Sequence, residues 1–130
     1  MLSYPIPPYI DLLGDPFERG GRGPDVWDCY GLARELFHRT GVELPDFESP
    51  GTLMEIEELV ERVPNAGRWR PVPIGTQGAL LTFRVEGHGA HVGFMLRDDR
   101  FIHCIEDVGV TTERLSNNDR IRPIASYYYE

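Results

Sequence analysis

The chain has 130 residues, of which 41% are hydrophobic and 26% charged, an ordinary composition for one globular domain with a single modest core. Its formal net charge of −8 argues against nucleic-acid binding, because no basic cluster is present to neutralise phosphates. No apolar run approaches the length of a membrane-spanning helix, which argues against membrane insertion. We therefore expect a globular domain with neither a nucleic-acid nor a membrane partner.

The first eight residues lack the basic region and apolar stretch of a secretory signal. We expect the protein to act inside the cell that makes it, or to leave by another route, such as within an assembled particle. Only two cysteines, Cys29 and Cys104, and four histidines are present. This set is too small for a disulfide framework and does not have the spacing of a zinc site, so we expect no metal and no cofactor.

The first 27 residues hold five of the eleven prolines and predict an extended N-terminal arm over residues 1–15, followed by a surface loop. An apolar stripe predicts a helix over residues 29–40, which ends before Gly41, a residue type common just after a helix. A Ser-Pro pair, which is typical of a helix start, predicts a second helix over residues 50–62. The helices therefore lie in the N-terminal half of the chain.

The C-terminal half predicts β-strands. Apolar segments separated by turn residues indicate strands at 69–72, 79–86, 91–97, 101–106, 110–115 and 121–129. Helices followed by an antiparallel meander indicate an α+β fold, with the N-terminal helices packed on the sheet. No repeat or low-complexity segment divides the chain, so we expect a single domain over residues 1–130.

Cys29 stands between a turn rich in glycine and the first predicted helix. This placement puts its thiol on the first turn of the helix, where free backbone N–H groups and the positive end of the helix dipole favour the thiolate. The thiolate is the nucleophilic form of cysteine. Asp28 is expected to cap the helix or anchor the loop rather than act as an acid. Cys29 is therefore the candidate nucleophile.

Two histidines lie where neighbouring strands could bring them together, His91 at the start of one strand and His103 midway along the next. The length of the turn between these strands decides whether the two rings share a face. A two-residue loop at Asp98 and Asp99 places the rings on opposite faces. A three-residue loop from Arg97 to Asp99 makes them diagonal neighbours on one face, roughly 7–8 Å apart at the backbone. A catalytic interpretation requires the three-residue loop.

This pattern suits a nucleophile, a base and an orienting group. Cys29 would attack a carbonyl carbon, His91 would take the thiol proton and later protonate the leaving amine, and His103 would orient His91. Backbone N–H groups at the helix start, including that of Cys29, would stabilise the oxyanion. The same alternation places Cys104 on the opposite face of the sheet, as a small buried hydrophobe that does not bridge to Cys29.

Four stretches resemble motifs of the NlpC/P60 cell-wall peptidases. The cysteine motif lies at 17–34 and the strand before the histidine at 78–84. The segment with the base lies at 90–96, and the segment with the third polar residue lies at 100–103. The resemblance implies a papain-like α+β fold and hydrolysis of peptide-stem amides in peptidoglycan. It also implies that Cys29, His91 and His103 are the catalytic residues.

Residues 20–25 and 41–46 are most similar to the bacteriophage and gene-transfer-agent branch of that family, whose members are components of the tail tip. The resemblance implies a protein of a virion tail or phage-like particle, made in the bacterial cytoplasm, with tail-tip hub or fibre proteins as partners. Two positions depart from the family pattern. Phe17 stands where members commonly have a tyrosine whose hydroxyl helps at the site. Members also have a Gly-Asp pair before the first long strand, and Ala79 stands in place of its aspartate.

Three aromatic side chains are candidates for contact with substrate. Trp27 and Tyr30 flank the nucleophile, and Phe17 occupies the position of the family's tyrosine. Core packing is an equal alternative for Trp27 and Tyr30. The tyrosines at 127–129 either pack on the sheet or dock onto a partner, because aromatic residues favour interfaces.

The main hypothesis is a cysteine endopeptidase of the phage-tail type that opens peptidoglycan locally. A second hypothesis is a structural plug or interaction module of a tail tip with a weak or inactive Cys-His-His site, which Phe17, Ala79 and the aromatic C-terminus motivate. A third is an amidase or acyltransferase on the same scaffold. In an active site we expect the pKa of the Cys29 thiol to lie below the ordinary value of about 8.5.

Overall fold

The computed structural model describes residues 3–45, 68–87 and 89–130. The second predicted helix, residues 50–62, lies outside the described residues. A short 3-10 helix, Ile10–Leu12, lies within the predicted N-terminal arm, and the first predicted helix, α1, spans Cys29–Arg39. Within the described ranges, no helix is both long enough and apolar enough to cross a bilayer.

In the described part of the chain, six β-strands follow the helix and form one antiparallel sheet. They are β1 (Trp69–Val72), β2 (Leu80–Val85), β3 (Gly89–Met95), β4 (Arg100–Ile105), β5 (Gly109–Arg114) and β6 (Ile121–Tyr129). Each strand lies where the apolar pattern predicts one, with bounds that differ by at most two residues. The helix and the antiparallel sheet confirm the predicted α+β fold.

The C-terminal strand does not continue the predicted meander. The strand order is β1-β6-β2-β3-β4-β5, so β6 lies between β1 and β2, where Tyr129 is opposite Trp69 and Tyr127 is opposite Leu80. The simple meander is therefore wrong for this strand. The reason is physical, because β6 pairs with strands distant in sequence and such pairing leaves no local pattern.

Two apolar clusters lie on opposite faces of the sheet. On one face α1 packs against β3 and β4, and its buried Leu32, Leu36 and Phe37 belong to a cluster that includes Val92 and Phe94. The other face carries a smaller cluster of Leu81, Phe83, Val85, Met95, Phe101, Ile105 and Ile121. Burial of each large apolar side chain contributes about 1.5–3 kcal/mol, so the apolar stripe of α1 holds the helix on the sheet.

The C-terminal tyrosines pack on the sheet, which is one of the two alternatives that the sequence leaves open. The ring of Tyr129 meets Trp69 with centroids 4.8 Å apart, and Tyr128 stacks on Tyr4 of the N-terminal arm at 3.6 Å. The backbone N–H of Tyr4 also donates to the carbonyl of Gln77 at 2.9 Å. The aromatic C-terminus therefore helps to hold the arm against the domain.

Candidate active site

Asp28 caps the helix that carries the candidate nucleophile, as the sequence predicts. Its carboxylate accepts hydrogen bonds from the N–H of Gly31 at 2.7 Å, the N–H of Gly20 at 3.1 Å and Nη1 of Arg22 at 2.7 Å. The side chain is only 2% exposed, so these donors replace the water that an ionised carboxylate would otherwise bind. Asp28 therefore fixes both the start of α1 and the loop before it.

The loop before α1 lies directly on the first turn of the helix. A Cβ atom added to Gly31 would lie 2.1 Å from the carbonyl oxygen of Gly21, which is far inside van der Waals contact. Only glycine at position 31 lets the loop approach this closely. The close approach covers the helix start and contributes to the burial of Cys29, which is 5% exposed.

Burial controls the ionisation of the candidate nucleophile. Desolvation raises the pKa of the Cys29 thiol to about 11, and the nearby Asp28 carboxylate also raises it. The backbone N–H groups of Val92, Tyr30 and Cys29 favour the thiolate and lower the pKa, but by less. The sequence predicts a lowered pKa from the helix start alone. That expectation is wrong for the free protein because desolvation outweighs the N–H groups of the helix start.

The backbone of β3 acts on the Cys29 sulfur at a point where the described β3 and β4 are not paired. Within the described residues, the ladder between these strands consists of the pairs Phe94↔Ile102 and Met95↔Phe101, whereas all of β3 from Gly89 onward pairs with β2. Even-numbered residues of β3 direct their N–H groups toward β4, as Leu96 does in donating to Arg100 at 2.8 Å.

Val92 is the next such residue beyond the paired part of the ladder, and its backbone N–H favours the thiolate of Cys29. The register of the β3–β4 hairpin places Cys104 of β4 directly across from Val92. The Sγ of Cys104 donates to the carbonyl of Trp27 at 3.3 Å. The chain that enters α1 therefore contacts the backbone of β3 and a side chain of β4. The contact with β3 places the thiol beside the residue that directly follows His91.

His91 and His103 lie on one face of the sheet, because the β3–β4 hairpin has the predicted three-residue loop. The pair Phe94↔Ile102 gives the same register as the predicted pairing of Leu96 with Arg100. Both imidazoles pack on Phe83, with ring centroids 6.3 Å away for His91 and 5.6 Å for His103. The Nδ1 atoms of both rings are shielded from solvent.

Glu113 joins this group, although the sequence interpretation did not single it out. Its Oε2 lies 2.8 Å from Nε2 of His103. Burial opposes ionisation of Glu113, but hydrogen bonds from His103 and Asn118 and the charges of His103 and Arg120 lower its pKa below the ordinary value. The alternation used for the first hairpin could have found this residue, because Glu113 lies opposite Phe101 and therefore on the face of His103.

The three candidate substrate contacts have different surroundings. Tyr30 is fully buried and its hydroxyl donates to the carbonyl of Pro45 at 2.6 Å. Trp27 donates from Nε1 to the carboxylate of Asp15 at 3.0 Å and lines a cavity of about 500 Å³. Phe17 is half-buried against the cluster under α1. The contacts of Tyr30 are packing contacts, and substrate contact stays a prediction for all three.

Cys104 has the surroundings predicted for it. It is buried and free, as is Cys29, in the cluster that includes Val92, Phe94 and Ile102. Burial, and then the nearby Cys29 and acidic groups, raise the pKa of Cys104 to about 12. Among the described residues, no group of three or more histidines, cysteines or acids is arranged to hold a metal ion.

A cysteine at the start of a helix that packs on an antiparallel sheet, with histidines on the adjoining strands, is the arrangement of papain-like α+β proteins. The family model described as the NlpC/P60 family matches residues 14–124. The chain therefore belongs to the NlpC/P60 family, whose members are cysteine peptidases and peptidoglycan hydrolases. No curated protein sequence matches this chain.

Solved structures share the fold. NlpC2 from Trichomonas vaginalis has a TM-score of 0.62 and 17% identity, with 92% of this chain and 43% of that chain covered. A lipoprotein-like protein of the NLP/P60 family from Staphylococcus aureus has a TM-score of 0.61 and 21% identity, covering 92% and 38%. The NlpC/P60 domain of the peptidoglycan hydrolase SagA has a TM-score of 0.61 and 22% identity, covering 91% and 90%. This chain thus spans less than half of the first two proteins.

Proposed function

We propose that this protein is a cysteine endopeptidase that hydrolyses a peptide-stem amide bond of bacterial peptidoglycan. The observation that carries the proposal is the position of the Cys29 sulfur, at the start of α1 and beside the β3 backbone directly after His91. Membership of the NlpC/P60 family and the fold shared with a domain of a peptidoglycan hydrolase support this choice of substrate.

His91 is the proposed base. Because burial holds the pKa of Cys29 near 11, the thiolate forms during the reaction rather than persisting in the free protein at neutral pH. His91 takes the thiol proton as the sulfur attacks the carbonyl carbon of the amide. The negative charge then moves to the carbonyl oxygen, where N–H groups at the helix start, including that of Cys29, stabilise it.

The tetrahedral intermediate collapses when its C–N bond breaks. The protonated His91 gives its proton to the leaving amine, and the acyl group remains on Cys29 as a thioester. Neutral His91 then accepts a proton from water as the water attacks the thioester, which releases the carboxylic acid and returns the proton to the thiol. His103 orients His91 through both half-reactions.

The first test compares the wild-type protein with Cys29→Ala on purified peptidoglycan, with the released fragments identified by mass spectrometry. We expect new amino and carboxyl ends within the stem peptides for the wild type, and none for the variant. Cys104→Ala is the matched control, because this cysteine is buried away from His91 and should leave the products unchanged. Equal products from wild type and Cys29→Ala, or none from either, would contradict the proposal.

We further propose that this endopeptidase is a component of a phage or phage-like tail tip. The similarity of residues 20–25 and 41–46 to the bacteriophage and gene-transfer-agent branch supports this assignment. The protein would be made in the bacterial cytoplasm and then carried in the virion tail, in contact with hub or fibre proteins. Mass spectrometry of purified particles tests it, because a tail component must copurify at constant stoichiometry with tail proteins through a density gradient.

A second candidate function is a structural or interaction module of the tail tip with an inactive site. The raised pKa of Cys29 and its 5% exposure favour it, since both restrict the nucleophile. Sedimentation with insoluble peptidoglycan separates the two functions. A module binds the polymer or its tail partner without releasing fragments, and Cys29→Ala binds equally well. Trapping of an acyl thioester on Cys29 excludes the inactive module.

A further inference from the structure

The strongest unassigned feature is the carboxylate behind His103. In the register of β4 and β5, His103 lies opposite Thr111 and Phe101 lies opposite Glu113, so Glu113 is a diagonal neighbour of His103 on the same face. The 2.8 Å separation of its Oε2 from Nε2 of His103 is a normal charge-assisted hydrogen bond. His103 itself is fully buried.

Glu113 is held from the other side as well. Its Oε1 accepts from Nδ2 of Asn118 at 3.3 Å and from Nη1 of Arg120 at 3.2 Å. The Glu113 side chain is 19% exposed, whereas that of Arg120 is 52% exposed. A chain of contacts thus runs from an exposed arginine through a largely buried carboxylate to a buried imidazole, and this arrangement keeps Glu113 ionised and oriented.

An ionised carboxylate only accepts hydrogen bonds, which determines where the proton of His103 lies. Nε2 must carry the hydrogen that points at Glu113, so in the neutral ring Nδ1 is the acceptor. This Nδ1 is shielded from solvent on the face that also carries His91. The neutral ring can therefore accept an N–H from the base, but it cannot present a second donor there.

We propose that Glu113 is a positioning residue that holds His103 in the Nε2–H tautomer, so that Nδ1 of His103 can accept an N–H of His91 during the reaction and orient this base toward Cys29. The part of this inference that concerns catalysis rests on the proposed peptidase function. Among the described residues, the charged groups next to His103 include Glu113 from β5, which Arg120 contacts from beyond β5, and His91 of β3 lies on the same face of the sheet. Phe83 and Phe101 pack against its ring, at 5.6 and 4.9 Å.

The first experiment reads the tautomer directly in the protein without substrate. Long-range ¹H–¹⁵N spectra of wild type distinguish the two neutral forms of each imidazole, and His103→Gln assigns the His103 signals. We expect a single Nε2–H form of His103 near pH 8. In Glu113→Gln we expect a mixture of tautomers, because an amide can donate as well as accept. Glu106→Gln, an exposed acid at the turn after β4, makes the same chemical change outside the contacts of Glu113 given above and should keep the wild-type spectrum.

Two outcomes overturn the inference. One is an Nδ1–H form of His103 in the wild type, a result that needs no variant to fold. The other is an unchanged His103 spectrum in folded Glu113→Gln. These spectra require no turnover, so they test the role of Glu113 independently of the peptidase activity. Identical action of wild type and Cys29→Ala on peptidoglycan would contradict the peptidase proposal but would leave the result for Glu113 unaffected.

Turnover supplies the second readout. Loss of one charge-assisted hydrogen bond predicts a fall of about tenfold to a hundredfold in kcat for Glu113→Gln, with little change in KM, because in this proposal Glu113 acts through His103 and not by binding the stem peptide. Glu113→Asp keeps the charge and should retain more activity than Glu113→Gln. Equal kcat values for wild type and Glu113→Gln would overturn the positioning role.

Discussion

The backbone N–H of Val92 favours the thiolate of Cys29, at the point where the described β3 no longer pairs with β4. A regular ladder would direct this N–H to a carbonyl of the neighbouring strand. The described pairs of β3 and β4 end at Phe94↔Ile102, and the N–H of Val92, beyond this pair, acts on the thiol of Cys29 instead. The candidate nucleophile thus lies next to the strand that carries His91. The burial of Cys29 in this position also disfavours its thiolate.

The ionisation of Cys29 gives the first prediction. In a Cys104→Ala protein, which retains a single thiol, we expect the rate of alkylation to rise with pH toward a midpoint near 11. Because the pKa in the folded state exceeds the value of 9.0 for a free thiol, the unfolded chain ionises first. The free energy of unfolding should therefore decrease as pH rises from about 9 toward 11. A midpoint below 8.5 would contradict the dominance of desolvation.

Removal of the helix cap gives the second prediction. Asp28→Ala should lower the free energy of unfolding by about 2 kcal/mol, because three donors, including a partly buried arginine, lose their acceptor. Asp28→Asn keeps one oxygen for the N–H of Gly31 and should lose less. Asp25→Ala, an exposed acid in the same loop, is the matched control and should stay within about 0.5 kcal/mol of wild type. Urea denaturation measures all three, and equal effects at Asp25 and Asp28 would refute the capping role.

The missing hydroxyl at position 17 gives the third prediction. The resemblance described for the sequence implies a tyrosine at this position, and one added hydrogen bond at the proposed site predicts an increase of about tenfold in kcat/KM for Phe17→Tyr. Phe17→Leu keeps an apolar contact without a hydroxyl and should show no increase. Initial rates of fragment release from peptidoglycan give the comparison. A Tyr variant no faster than wild type would show that the phenylalanine does not limit the reaction.

Acid stability gives the fourth prediction. Desolvation raises the pKa of Glu113, but its hydrogen bonds and the neighbouring positive charges outweigh this effect and hold the pKa below the usual value of 4.5. The ionised form therefore stabilises the fold above about pH 4.5, and this contribution disappears as pH falls through the lower pKa of the folded state. Glu113→Gln should flatten the fall in stability on the acid side, and Glu106→Gln, at the exposed turn after β4, should not. Identical slopes for wild type and Glu113→Gln in thermal melts at pH 3–6 would argue against the linkage.

Features that depend on residues close in sequence were predictable. The cap at Asp28 follows from one side chain and three following residues, and the shared face of His91 and His103 follows from the length of a single turn and the two-residue period of a strand. Each of these relations involves a short stretch of backbone with few conformations available, so the pattern of residue types was sufficient.

Features that depend on distant segments were not predictable in the same way. The insertion of β6 between β1 and β2 joins segments about fifty residues apart, and neither strand records its partner in its own pattern. The position of Glu113 could have been predicted from the same alternation of side chains along a strand. That prediction requires the register of the second hairpin, β4–β5, in addition to that of the first, β3–β4. Substrate contacts of Phe17, Trp27 and Tyr30 remain predictions.

The chain's own residue pattern therefore specified a helix that begins at Cys29, two histidines on one strand face and membership of a cysteine-peptidase family. Only the tertiary structure determined the state of the thiol. The helix start favours the thiolate through local N–H groups, whereas desolvation depends on every segment that covers Cys29, including β3, α1 and the loop at Gly21. Because desolvation is the larger effect here, the thiol of Cys29, the candidate nucleophile, is held protonated in the free protein at neutral pH.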